Sequence, residues 1–375
     1  MRTLILTCNT GEGHNSSAVA IREVFENNGE FCELLDSLQF VSKRFSKIIG
    51  KGHASIYRHS PKLFDKGYSM SEKHSSFFSQ GTVLYKLLTR GVEKLYQYIT
   101  ENEIDFIVCV HPFSGILVTE LRKKYDINIH TSIVATDYTC VPGTSSTRMD
   151  TYFIPHIKLT DDFVSCGIAR EKIVVSGIPV KHAFYDAYDK ADSRKLLGLP
   201  LEKKILVICG GSMGCGPMEE IAEKICASTD DNTLMIVICG NNKKLYSKLM
   251  HKQSEKFYVI DYTKRMCDYM RSADVFITKS GGISITEASV LNKPMIFINA
   301  VAGCELRNKQ FFEKMDCAFT VKLNSDIPKI AVALLKDNAL QRRFADNLKN
   351  NISKNAAEII YNTLSDKSKT FSSRG

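Results

Sequence analysis

Short runs of aliphatic and β-branched residues alternate along the chain with stretches whose apolar positions recur every three or four residues. This is the pattern of parallel strands covered by helices on both faces. In the first half the strand candidates are 3–7, 32–36, 106–110, 129–135, 151–154 and 172–175. In the second half they are 204–209, 233–239, 257–261, 275–278 and 294–298. The fold class is therefore α/β, with two similar sheets in series. Ser176-Gly177-Ile178-Pro179-Val180, the polar helix-like stretch 185–197 and Gly198-Leu199-Pro200 punctuate a joint. That joint divides the chain into a first domain, 1–184, and a second, 185–354. The remainder, 355–375, reads as a helix with apolar Ala356, Ile359, Ile360 and Leu364, then a frayed polar tail from Ser365.

A length of 375 residues suits two domains, and 44% apolar with 24% charged residues is the composition of a globular protein. No run approaches the roughly 18 apolar residues of a membrane-spanning helix. The first residues carry a short apolar run that meets polar Asn9-Thr10-Gly11-Glu12 at once, so no signal peptide is expected. Twelve cysteines form no C-x-x-C pair, and several fall in apolar runs (Cys109, Cys209, Cys239), which predicts buried thiols of a reducing cytoplasm.

Charge changes the picture locally. Between residues 40 and 90 ten Lys or Arg stand against Asp65 and Glu72 alone, almost the whole net charge of +9. Phe45, Ile48, Ile49, Tyr57, Phe64, Tyr68, Phe77 and Phe78 are interleaved with them. A basic aromatic segment of this kind suits an anionic membrane surface; a solvated insertion is the plainer reading. Nucleic acid is not expected, because no recognition fold accompanies the patch.

Three glycine turns follow strands and open helices. The first is Asn9-Thr10-Gly11-Glu12-Gly13-His14, either a ligand-facing turn or a tight βα turn whose His14 merely caps the helix. It lacks the third glycine of a dinucleotide fingerprint. In Gly210-Gly211-Ser212-Met213-Gly214-Cys215-Gly216, glycine is denser than a turn requires, and Pro217 suits the first helical position. A phosphate cradle is the preferred reading. The third, Thr278-Lys279-Ser280-Gly281-Gly282, opens a helix containing Glu287. Lys279 there suits a mobile phosphate cation. Glu287 suits either ribose hydroxyls or plain solvent. With no Asp-x-Asp and no metal-ligand spacing, no metal and no cofactor are expected.

These turns, together with Thr136-Asp137-Tyr138, Cys239-Gly240-Asn241-Asn242, Thr286-Glu287-Ala288 and Ala302-Gly303-Cys304-Glu305-Leu306-Arg307-Asn308, occur in an order that resembles the monogalactosyldiacylglycerol synthase and processive diacylglycerol glucosyltransferase group of family 28 glycosyltransferases. The resemblance implies a GT-B fold, with two Rossmann-like domains across a cleft and a last helix that returns to the first domain. It implies an inverting, metal-independent bacterial enzyme that moves glucose or galactose from a UDP-hexose to diacylglycerol or a similar lipid acceptor, as a peripheral protein on the inner, cytoplasmic membrane face. Carried over by position, His14 is the general base with Asp137 assisting, while Gly11 and Gly13 lie on the acceptor side. Gly210, Gly211, Ser212, Met213, Gly214, Lys279, Ser280, Gly281 and Gly282 surround the diphosphate. Tyr262 and Met266 lie in the uracil segment, Glu287 holds the ribose, and Glu305 with Asn308 contacts the sugar. Many relatives have Gln where Cys304 stands, which leaves the hexose open. The alternatives are an N-acetylglucosaminyl transfer to another lipid-linked acceptor, a soluble UDP-sugar epimerase of the same fold, or a nucleotide-sugar sensor.

Overall fold

A strand covered on both faces has no solvent side, so it needs no apolar-polar alternation. Leu4, Ile5 and Leu6, like Leu206, Val207 and Ile208, are fully buried in the computed structural model of the chain. The structure describes residues 1–9, 11–59, 67, 68, 70, 78, 80–299 and 303–372. It divides into two units, Met1–His182 with Ala302–Cys304 and Ser353–Gly375, and Ala183–Val301 with Glu305–Ile352.

The first unit is built on six parallel strands: β1 (Arg2–Thr7), β2 (Phe31–Asp36), β3 (Phe106–Cys109), β4 (His130–Val134), β5 (Thr151–Ile154) and β6 (Ile173–Val175). Their order is β2-β1-β3-β4-β5-β6, so the winding reverses between β1 and β3. On one face Ala18, Ile21 and Phe25 of the helix Glu12–Asn27 meet Ile5, Val108 and Val134 of the sheet, joined by Ile360 and Leu364 from the last helix, Ala356–Ser372. On the other face Cys8, Leu38, Tyr85, Leu88 and Ile116 pack together. The last helix runs to Ser372, so the tail expected to fray at Ser365 is helical for two further turns. Its packed first half offsets the nucleation cost, and the polar residues beyond it, with exposed Asp366 pairing exposed Lys369 at 3.1 Å, only propagate it.

Part of the basic aromatic segment falls at 60–66, 69, 71–77 and 79, outside the described residues. Within the described part, the helix Lys43–His59 leaves Lys43, Arg44, Lys47, Ile48 and Ile56 exposed.

The second unit has β7 (Lys204–Cys209), β8 (Thr233–Ile238), β9 (Phe257–Ile260), β10 (Val275–Thr278), β11 (Met295–Phe297) and β12 (Phe319–Thr320). Their order is β12-β11-β10-β7-β8-β9, all parallel, and the reversal lies between β7 and β10. The strand β12 is two residues long, too short to stand out as an apolar run. The helix expected from Tyr185 starts at Lys190, where Asp189 and Asp192 form a reciprocal capping box. Its Arg194 is buried and reaches Asp274 Oδ2 at 2.9 Å and the carbonyls of Leu201, Lys203 and Ser272. Asp274 also accepts from Lys190 Nζ (2.8 Å) and the Ile205 N–H (2.7 Å). Burial pushes its carboxyl up, but these partners outweigh that and hold it below the ordinary range. The network ties the start of β7 to the start of β10, the two strands that flank the reversal.

Candidate active site

In open α/β sheets the loops at the carboxyl ends of the two strands beside the reversal leave a crevice for ligands. In the first unit β1 brings Thr7 to that edge. Its hydroxyl donates to Asn15 Oδ1 (2.8 Å), and its carbonyl accepts from Ser114 Oγ (3.0 Å). The helix Glu12–Asn27 begins at Gly11 without a side-chain cap, so its first turn presents main-chain N–H groups. His14 sits in that turn.

His14 Nδ1 lies 3.0 Å from the Val110 carbonyl oxygen and 3.0 Å from Thr136 Oγ1. A carbonyl can only accept, so Nδ1 carries the proton and donates it to Val110, and the neutral ring has its basic lone pair at Nε2. The edge of His111 lies against the ring, with centroids 4.7 Å apart. His111 has the opposite tautomer, because its Nδ1 accepts from the Phe113 N–H at 3.1 Å while capping the helix Pro112–Lys124. Asp137 follows Thr136 in a bend and is half-buried. The side chain on Nδ1 is that of Thr136, which the sequence did not single out.

In the second unit the turn after β7 is closed by Gly214 N to Gly211 O (3.0 Å) and Cys215 N to Gly210 O (3.1 Å). It rests on the turn after β8, where Asn241 N donates to Ser212 O (2.8 Å) and Asn242 Nδ2 to Gly214 O (2.9 Å). A Cβ on Gly210 would collide with the Cys215 carbonyl, and one on left-handed Gly214 (φ 57°) with the Cys239 carbonyl. Both glycines are thus required by the protein's own backbone. Gly211 also needs glycine for its left-handed φ of 73°, but the space is open there, a Cβ meeting only the end of Lys279 at 3.5 Å. Pro217 sits at the cap of the helix Met218–Ala227 instead of inside its first turn, and that turn carries Glu219 and Glu220.

The turn after β10 is the more suitable anion site. The helix Gly282–Val290 starts at Gly281 with no side-chain cap and no acidic residue in its first turn, and a Cβ on Gly281 would meet nothing within 4 Å. Lys279 is not mobile, as its Nζ pairs with Glu305 Oε1 at 3.1 Å, both side chains being largely buried. Ser280 Oγ donates to the Glu305 carbonyl (2.7 Å), and Asn308 Nδ2 donates to the Ser280 carbonyl (2.9 Å). Lys279 and Ser280, expected at the diphosphate, and Glu305 and Asn308, expected at the sugar, therefore form one hydrogen-bonded cluster at the helix Cys304–Lys314.

Glu287 is buried, which overturns the reading of it as a solvated residue. Burial pushes the Cys209 thiol up to about 11, with Lys279 acting downward and Glu287 upward on the same group. Tyr262 is exposed, and Met266 opens the helix Met266–Ser272. Among the described residues no group of three His, Cys, Asp or Glu is arranged to hold a metal ion. Nor is any helix among them long and apolar enough to cross a membrane. Cys109, Cys209 and Cys239 are buried thiols, as are Cys8 and Cys317, and the other seven are half-buried; none is in a disulfide.

Two doubly wound parallel sheets, each with a helix-opening turn at its reversal, make up an α/β fold of the GT-B class. Residues 14–180 match the family model for monogalactosyldiacylglycerol (MGDG) synthase, and residues 205–362 match that for the glycosyltransferase family 28 C-terminal domain. The chain belongs to the glycosyltransferases that join these two modules. The processive diacylglycerol beta-glucosyltransferase of Bacillus subtilis (strain 168) is 26% identical over 373 residues, 96% of this chain and 93% of that protein. Among solved structures, MurG of Acinetobacter baumannii superposes with a TM-score of 0.63 at 11% identity, covering 97% of this chain and 99% of the other. The UDP-GlcNAc 2-epimerase of Neisseria meningitidis, bound to UDP-GlcNAc, gives 0.64 at 14% identity, covering 98% and 100%. At those identities the solved structures establish the fold alone.

Proposed function

We propose that the chain transfers glucose or galactose from a UDP-hexose to diacylglycerol, with inversion at the anomeric carbon, on the cytoplasmic face of the membrane. The observation that carries the chemistry is the Val110 carbonyl on His14 Nδ1, which leaves Nε2 as the basic atom of a neutral imidazole. In this reading Nε2 takes the proton of the acceptor hydroxyl, and the hydroxyl oxygen attacks the anomeric carbon as the bond to UDP breaks. Gly11 and Gly13 let the acceptor approach the first turn, and Asp137 assists through the Thr136 bend. An α-linked donor gives a β-glycoside.

The leaving UDP gains one negative charge on its β-phosphate as the anomeric C–O bond breaks, and the N–H groups from Gly281 onward, Lys279 and the Gly211–Gly214 turn are suited to receive it without a metal. Glu287 accepts from the ribose, Tyr262 and Met266 flank the base, and Glu305 and Asn308 hold the sugar. The relative named a diacylglycerol beta-glucosyltransferase supports the acceptor class. Exposed Ile48 and Ile56 on a helix with exposed Lys43, Arg44 and Lys47 support contact with an anionic leaflet.

The test is to incubate the purified protein with UDP-glucose or UDP-galactose and diacylglycerol vesicles, with and without EDTA. Monoglycosyldiacylglycerol is expected, unchanged by EDTA and abolished in His14→Ala while UDP binding persists. Hexose isomerisation without lipid, or full transfer by His14→Ala, overturns the reading.

A further inference from the structure

Two imidazoles meet at the carboxyl edge of the first sheet, and the chemistry proposed above uses one of them. His111 follows Val110, whose carbonyl holds His14 Nδ1, so two consecutive residues just past β3 touch the same ring. Val110 is buried and donates its own N–H to the Leu6 carbonyl at 3.0 Å. His111 is held as firmly. Its Nδ1 accepts from the Phe113 N–H at 3.1 Å, and its carbonyl accepts from the Gly115 N–H at 3.2 Å. The Phe113 ring stands across it, with centroids 4.7 Å apart and planes at 70°. Phe113 in turn packs on the cluster that contains Cys8, Phe78 and Ile116.

A main-chain N–H only donates, so His111 Nδ1 carries no proton and its lone pair is committed to the helix cap. Of the two rings, His14 is the one that can act as a base. A cap alone does not call for an imidazole, since Asn, Asp and Ser suit that position better. The ring answers a different need. The bonds from Val110 and Thr136 both end on His14 Nδ1, and two bonds to one atom leave the ring plane free to swing. Nε2, across the ring from that atom, would swing furthest. His111 touches the ring itself, with planes at 79° and centroids 4.7 Å apart.

We propose that His111 is a positioning residue for the transfer: its ring sets the plane of the His14 imidazole, and with it the direction in which Nε2 meets the acceptor hydroxyl. This rests on His14 being the base. A displacement of about 1 Å at a reacting atom costs on the order of 10²-fold in rate, so a small tilt of the ring is enough to matter.

The experiment compares full-length His111→Asn, which keeps a cap acceptor and loses the ring, with His111→Phe, which keeps a ring and loses the acceptor. His111→Asn is expected to melt with the wild type and to hold KM for UDP-hexose and diacylglycerol within about twofold, while kcat falls at least about tenfold. His111→Phe is expected to melt lower and yet to keep kcat within about threefold of wild type under folded conditions. An Asn variant as active as wild type, or a folded Phe variant as slow as the Asn variant, overturns the proposal. A second measurement needs no substrate: by 13C relaxation, the order parameter of the His14 ring is expected to drop below about 0.6 in His111→Asn. An order parameter unchanged from wild type overturns the positioning. A wild type that makes no glycolipid, with that drop still seen in the variant, sinks the transferase reading and leaves the hold of His111 on His14 established.

Discussion

The turn after β7 and the turn after β10 lie side by side at one sheet edge and both are rich in glycine, yet their glycines answer to different demands. Gly210 and Gly214 lack a Cβ because the backbone of Cys215 and Cys239 occupies its place. Gly281 lacks one in front of open space, in an ordinary extended conformation that any residue adopts. Glycine density alone cannot tell a turn that serves the chain from one that serves a ligand. What separates them is whether the protein or nothing at all fills the missing volume.

The comparison extends to the first unit, where the group proposed to act at the helix opening is a side chain, His14. The largest expected effect is there: His14→Ala should lower transfer by about 10²–10⁴-fold with UDP affinity unchanged, as measured by initial rates and calorimetry. Gly214→Ala should destabilise by roughly 2–3 kcal/mol through overpacking, read from urea midpoints at constant slope. A midpoint equal to wild type would mean that the two turns do not pack as described.

A pH dependence distinguishes the units next. Burial lowers His130, in β4, to about 4. Because this lies below the unfolded value, the unfolded chain binds the proton first, and stability present above pH 6.5 is lost as the pH falls toward 4. A loss of roughly 2 kcal/mol between pH 7 and pH 5 is expected, and His130→Gln should remove most of it. An unchanged acid sensitivity in that variant would place the responsible group elsewhere.

Glu287→Gln should weaken UDP binding by about tenfold, the scale of one charged hydrogen bond. Smallest in stability is Gly281→Ala, expected within about 1 kcal/mol of wild type. If the diphosphate meets that turn, UDP binding should fall in this variant while the fold holds, the reverse of Gly214→Ala.

The strands were legible because a doubly covered strand is written as an uninterrupted apolar run, and the bounds of β5, β7 and β10 coincide with those runs. The motif positions were legible too, since strand, glycine and helix follow one another in the chain. The partners were not. Val110 acts on His14 through a main-chain carbonyl 96 residues away, which leaves no trace in side-chain identity, and Thr136 stands 122 residues off beside a more conspicuous carboxylate. Lys279 was misread as mobile because its counterion comes from Glu305, 26 residues later and beyond an intervening strand. Helical continuation past Ser365 depends on a packed neighbour that local composition does not reveal.

That neighbour has a consequence for biosynthesis. The last helix lies on the first, with Tyr361 edge-on to Phe25 at 5.1 Å and Ile360 and Leu364 inside the same core as Ile21. During translation the strands of the first sheet leave the ribosome early, but the helix that presents the imidazole lacks its cover until residues 356–364 are made. The first unit is completed only after the second has been made, and a ribosome halted in the second unit would leave that apolar face bare for chaperones to hold.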